Sequence, residues 1–201
     1  RVFFQNKEDR SEFVGLGLVP ATVTAVLPGS GVDLDRFAPR YEHSGEKPGP
    51  VRFILIARLI WDKGIGEYVA AARQLQREGL AAKFQLAGFL EVKNRTAVSR
   101  TDVDSWVREG VIEYLGETDD VRAWMAQADC VVLPSSYREG TPRSLLEAAS
   151  MAKPVITTDA PGCRNVVADG VSGFLCQIVG IPHLAEETAD AVRHHVAAPR
   201  R

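Results

Sequence analysis

The chain has 201 residues, 45% hydrophobic and 25% charged, enough to bury a core without disulfides or a structural metal. Its 24 Lys and Arg against 26 Asp and Glu leave a net charge of −2, which removes the electrostatic reason to expect a nucleic-acid partner. Cys130, Cys163 and Cys176 lack metal-ligand spacing and sit among apolar residues, so they read as reduced core residues of a cytoplasmic protein. No run approaches the ~18 apolar residues of a membrane helix. The start, Arg1-Val2-Phe3-Phe4, has neither Met nor a signal peptide, and the expectation is a piece of a longer chain.

Residues 1–50 read as loop-rich. Within them the apolar run Val23–Leu27 leads into Pro28-Gly29-Ser30-Gly31-Val32-Asp33, and Glu42–Pro50, with two prolines and two glycines, reads as a linker. From residue 51 the texture changes. Short apolar runs at Val51–Ala57, Phe84–Gly88, Val111–Leu115, Cys130–Leu133 and Pro154–Thr158 have the length and β-branched content of buried strands. Helical patterns lie between them at Ile65–Glu78, Asp102–Glu109, Val121–Ala128 and Arg143–Met151, with Asp102 and Asp119 as candidate caps. Turn signals at Asp159–Gly162 and Asp169-Gly170 precede a further short strand near residues 173–175, and Leu184–Val196 forms a last helix. Five strands alternating with helices predict an α/β fold, a doubly wound, Rossmann-like parallel sheet with helices on both faces.

Sheets of this kind bind ligands beyond the carboxyl ends of their strands, so the residues just after each run are the candidates. After the first run stand Arg58 and Lys63, followed at once by a helix whose free N–H groups attract anions. A bidentate guanidinium and a compact ammonium beside such a terminus match a diphosphate, although the same residues also read as solvated surface cations. After the fourth run comes Ser135 to Pro142. Glu139 lies on this loop and Glu147 about one turn into the next helix, so both carboxylates can border one cleft, where they would accept hydrogen bonds from sugar hydroxyls. Alternatively they are a loop charge and an exposed helix residue. The adjacent His194 and His195 point in different directions on a helix and make a poor metal site.

Taken in order, Gly29-Ser30-Gly31-Val32-Asp33 with Phe37, Ala57-Arg58-Leu59 with Asp62-Lys63-Gly64, Leu115-Gly116 with Asp119-Asp120-Val121, Glu139-Gly140-Thr141-Pro142 with Leu146-Glu147-Ala148, and Pro161-Gly162 with Gly173-Phe174-Leu175 resemble the carboxyl-terminal, nucleotide-sugar-binding domain of retaining glycosyltransferases of the GT-B fold, family 4 or group 1. The resemblance covers about residues 22–177. Two departures are visible: Gly88-Phe89-Leu90 stands where most members have Gly-Asp-Gly, and residues 177–201 fit the family poorly.

The resemblance implies one half of a GT-B two-domain fold, with residues 1–45 as an inter-domain strand and linker segment and 46–201 as the donor domain. It implies transfer of a sugar from a UDP- or GDP-linked donor with retention of configuration, in bacterial polysaccharide or glycolipid biosynthesis. Arg58 and Lys63 would hold the donor diphosphate, Glu147 the ribose, and Glu139 would face the donor sugar. The backbone of Gly140, Thr141 and Pro142 would cradle sugar and phosphate, Gly31 would approach the phosphates, and Glu117 to Asp119 would border the base. Arg58, Lys63 and Glu139 are thus the expected catalytic residues. No cofactor or metal is expected, since no Asp-x-Asp cluster stands in a loop that needs one. A glycan or lipid-linked acceptor would be handled by an amino-terminal domain, with peripheral association at the inner face of the cell membrane left open and the isolated chain inactive in transfer. The other functions weighed are a non-catalytic nucleotide-sugar-binding module, a sugar-nucleotide epimerase-like enzyme and, last, a dinucleotide-binding domain, which lacks its Gly-x-Gly-x-x-Gly after the first run.

Overall fold

Two parallel sheets carry the chain. A computed structural model describes residues 1–29, 31–39, 49–177 and 181–197, with side chains in the last helix described for 186–194. Six strands, β3 (Val51–Ile56), β4 (Ala82–Ala87), β5 (Glu113–Gly116), β6 (Cys130–Leu133), β7 (Val155–Thr158) and β8 (Gly173–Cys176), form the larger sheet in the order β5-β4-β3-β6-β7-β8, with every pair parallel. Parallel strands covered on both faces should be apolar throughout, and β6 and β7 are buried at every position.

The helices α2 (Ile65–Arg77), α3 (Arg100–Glu109), α4 (Arg122–Gln127), α5 (Arg143–Ser150) and α6 (Ile181–Ala197) cover the two faces. One core holds Phe53, Leu55, Tyr68, Phe84, Leu86 and Trp106 with Val192 of α6. The other holds Ile54, Val131, Met125, Leu145 and Met151. Successive strand residues enter opposite cores, as period-2 side-chain alternation requires. Tyr68, fully buried, donates to the carbonyl oxygens of Phe53 and Gln85, each at 3.1 Å, and so fastens α2 across two neighbouring strands. No helix among the described residues is long and apolar enough to cross a membrane.

Several expectations need correction. The larger sheet has six strands rather than five, because β8 pairs with β7 over its whole length. The expected loop-rich start contains a parallel β–α–β unit: β1 (Val2–Phe4) pairs with β2 (Thr24–Val26), and α1 (Lys7–Gly15) connects them. Helix α1 has no buried residue and hence no apolar stripe to read. Its start is set by Asn6, whose side-chain oxygen accepts the N–H of Asp9 at 2.7 Å. The cap of α3 is Ser99, not Asp102, which instead completes a capping box as the third helical residue. Asp119 does not cap α4; it is Asp120 whose carboxylate accepts the N–H of Arg122, at 3.1 Å. Most of the expected linker, residues 42–48, lies outside the described residues, as does the side chain of His195. Phe37, from the segment before it, is buried against Ile54 and Met125, and its carbonyl oxygen accepts Ser150 Oγ at 2.9 Å.

Candidate active site

The strand order reverses between β3 and β6: the chain builds outward from β3 to β5, then crosses back to lay β6 on the other side of β3. Loops leaving the carboxyl ends of such a pair diverge and open a crevice, which is where ligands of doubly wound sheets bind. The loop after β3 carries Arg58 to Lys63, and the loop after β6 carries Ser135 to Pro142.

These loops touch through their backbones. Gly64 has φ +76°, and a Cβ there would run into the Pro134 carbonyl, so this crossing accepts only glycine. The carbonyl oxygen of Asp62 accepts the N–H groups of Ser136 and Tyr137 at 3.1 and 3.2 Å and Ser135 Oγ at 3.1 Å. Thr158 Oγ1 donates to the Ser135 carbonyl at 2.6 Å and Thr157 Oγ1 to that of Leu133 at 2.7 Å, extending the β6–β7 ladder past the end of the sheet. From the other side the segment after β4 braces the first loop. Trp61 N–H donates to Thr96 O at 2.7 Å, Val98 N–H to Leu59 O at 2.9 Å, and Thr96 Oγ1 hydrogen-bonds the Asp62 carboxylate.

On this frame the Lys63 ammonium pairs with Glu139 Oε1, which also accepts Ser135 Oγ at 3.1 Å. Both side chains are nearly enclosed, 12% and 11% exposed, so the charges act in a medium far less polar than water. The Tyr137 ring lies 5.6 Å from the Lys63 nitrogen. Helices α2 and α5 start just after Gly64 and Pro142, which offer no capping side chain, and apart from the N–H of Glu67, which meets its own carboxylate, their first-turn N–H groups are left for solvent or an anion.

Glu147 lies in the second turn of α5, 7% exposed, with Arg143 Nε 2.9 Å from its carboxylate. Burial pushes its carboxyl above the ordinary range, while Arg143 and Arg36 pull the other way. A cleft of about 360 Å³ adjoins the loop after β6, lined by Gln5, Asn6, Gly29, Gly31, Thr141 and Leu146 among others.

Of the expected site residues, the structure brings Lys63 to Glu139 and sets Gly31 and Thr141 on one cleft. Arg58 is exposed on the same loop, with no ion pair among the described residues. Glu117 and Asp119 are exposed on the loop after β5. Asp33 accepts the N–H groups of Asp35 and Arg36 at 3.1 and 2.9 Å, and among the described residues no group of three or more His, Cys, Asp or Glu could hold a metal ion. Sequence reasoning missed Thr158 and Asn6, and included Ser135 in a candidate loop without giving it a role. For Asn6 a signal existed, an Asn three residues before an Asp at a helix start.

The strand order is the general one of doubly wound sheets, and the fold is that of the carboxyl-terminal half of GT-B glycosyltransferases. The family model for glycosyl transferases group 1 matches residues 50–196, and the chain belongs to that family. It is 29% identical over 191 residues to N,N'-diacetylbacillosaminyl-diphospho-undecaprenol alpha-1,3-N-acetylgalactosaminyltransferase of Campylobacter jejuni, covering 90% of this chain and 48% of that protein. It is 35% identical over 153 residues to the putative colanic acid biosynthesis glycosyltransferase WcaL of Salmonella typhimurium, covering 72% of this chain and 36% of that one. The chain thus spans half or less of the length of these relatives. Among solved structures, Anabaena HepE in complex with UDP and glucose superposes with a TM-score of 0.76 at 20% identity, over 98% of this chain and 53% of that one.

Proposed function

We propose that this chain is the donor half of a bacterial glycosyltransferase, which takes a sugar from a nucleoside-diphosphate sugar and passes it, with retention of configuration, to a glycan or lipid-linked acceptor in surface polysaccharide or glycolipid synthesis. The observation that carries the reading is the meeting of Lys63 and Glu139 at the reversal of strand order, between the uncapped starts of α2 and α5. Negative charge grows on the diphosphate as its bond to the anomeric carbon breaks, and a preorganised ammonium with helix-terminal N–H groups stabilises it without reorganisation. Lys63 and Arg58 take that role, Glu139 accepts a hydrogen bond from the donor sugar, and Glu147 holds the ribose. Gly140 to Pro142 and Gly31 line the path of sugar and phosphate, and Glu117 to Asp119 border the base.

The acceptor attacks from the face the diphosphate leaves, and the departing phosphate oxygen takes its proton. Cations and amides meet the diphosphate charge, so the reading assigns no resident metal. Residues up to about 45 act as the inter-domain segment, and the acceptor is held outside this chain. The relatives named for polysaccharide and lipid-linked substrates, and the neighbour complexed with UDP, support the class of donor and pathway. The test is a panel of UDP- and GDP-sugars offered to the whole protein, with release of nucleoside diphosphate measured with and without acceptor. Acceptor-dependent release is expected. Saturable binding without release would make it a binding module, and a changed nucleotide sugar without acceptor would make it an epimerase.

A further inference from the structure

Asn6 is 2% exposed, and its amide does two things. Its oxygen caps α1 through the N–H of Asp9. Its nitrogen donates to Asp9 Oδ2 at 2.8 Å and reaches two successive carbonyl oxygens of the loop after β6, Gly140 at 3.3 Å and Glu139 at 3.4 Å. Two carbonyls turned to one side repel each other unless a donor stands between them, and one amide hydrogen shared between them is such a donor. Gly162, at φ +86°, lies against the same two carbonyl oxygens, with no room for a Cβ. Next to Asn6, the Gln5 side chain lies on the Cα of Gly140, and Arg138 pairs with Asp9 at 2.8 Å and with Glu12. Residues 138–140 are therefore held by the β1–α1 corner, while the Glu139 carboxylate leaves the opposite way, to Lys63 and Ser135.

We propose that Asn6 is a positioning residue: it fixes the Glu139–Gly140 backbone and through it aims the Glu139 carboxylate at the donor site. The proposal rests on the donor-site reading above. It also ties the amino-terminal β–α–β unit to the chemistry, because a shift of α1 relative to the large sheet displaces the amide that sets Glu139.

The test uses two variants of this chain. Asn6→Ser keeps a good helix cap but cannot reach the two carbonyls, and Asn6→Asp keeps the cap and the size but turns an oxygen toward them. Amide hydrogen exchange over residues 136–141, where the N–H groups of Ser136 and Tyr137 are held by the Asp62 carbonyl, should quicken roughly tenfold in both, the loss of one ordinary hydrogen bond, with the central strands β3 and β6 unchanged. Calorimetry with UDP, GDP and their glucose conjugates should then show nucleoside diphosphate affinity within about twofold of the parent, and loss of whatever extra affinity the sugar confers. Unchanged exchange over 136–141 in both variants overturns the proposal, as does equal weakening of plain diphosphate and sugar conjugate. If none of the four probes binds the parent chain, the donor-site reading fails, while the exchange arm still decides whether Asn6 holds the loop.

Discussion

A buried ion pair inside a binding site serves stability and function differently, and Lys63 with Glu139 allows the two to be separated. Replacing Lys63 by Met leaves the Glu139 carboxylate 11% exposed with Ser135 as its remaining donor. Removal of one partner from a fully buried pair costs about 3–5 kcal/mol; with residual exposure and the Ser135 hydroxyl in place, about 2–4 kcal/mol is expected for Lys63→Met. Glu139→Gln leaves the ammonium with a neutral acceptor and the Tyr137 ring, and should cost less, about 1–2 kcal/mol. In the double variant neither charge is stranded, so its loss should fall short of the sum of the two by roughly 1–2 kcal/mol, within the range for residues in contact. Urea unfolding of the four proteins gives the cycle. Nucleoside diphosphate binding should not follow it. Both variants lacking Lys63 should lose about 1.5–3 kcal/mol of affinity, and restoring stability with the second substitution should restore none of it. Additivity within about 0.5 kcal/mol would refute the coupling, and recovery of binding in the double variant would place the phosphates elsewhere.

Much of this architecture can be read from spacing alone. The run Cys130–Leu133 is β6 residue for residue, and helix α5 ends one residue before its expected limit. Buried parallel strands have no solvent face, so continuous Val, Ile and Leu mark them directly. Elements without that signal were not legible. Strand β1 is three residues and exists through pairing with β2, whose place the run Val23–Leu27 does mark, and α1 buries nothing. The cap of α3 was misassigned because Ser99 and Asp102 both suit the position, and only the geometry shows which oxygen accepts which N–H. The site divides in the same way. Arg58, Lys63 and Glu139 are flagged by standing just after apolar runs and Glu147 by its place one turn into the following helix, both local properties. That Lys63 meets Glu139, 76 residues on, and that Asn6 reaches the same loop from 133 residues before it, are products of tertiary approach that no window of sequence contains.

Three further predictions probe the frame, the two acids and a buried carboxyl outside the site. Gly64→Ala forces a left-handed alanine into the Pro134 carbonyl and should destabilise by about 2–4 kcal/mol in urea unfolding; a loss under 1 kcal/mol would mean that the two loops part freely. Glu147→Ala should weaken nucleoside diphosphate and nucleotide sugar alike, whereas Glu139→Ala should spare the plain diphosphate and reduce turnover of the whole enzyme; the reverse pattern in calorimetry would exchange their roles. The third concerns Glu67, in the first turn of α2 and 6% exposed. A carboxylate at a helix start is favoured by the dipole, yet here burial outweighs that and lifts its pKa above 4.5, with a backbone N–H pulling it down by less. Because the folded chain holds this proton more tightly than the unfolded one, its contribution is fully present below about pH 4.5 and is lost as pH rises through the higher folded value. Glu67→Gln removes that titration, so the variant should gain on the parent as pH climbs from about 4 to 7, measured as the difference in urea midpoints at each pH. A difference that stays flat, or that shifts toward the parent with rising pH, would show that Glu67 is charged in the fold at no cost and that a cation has been left out of its surroundings.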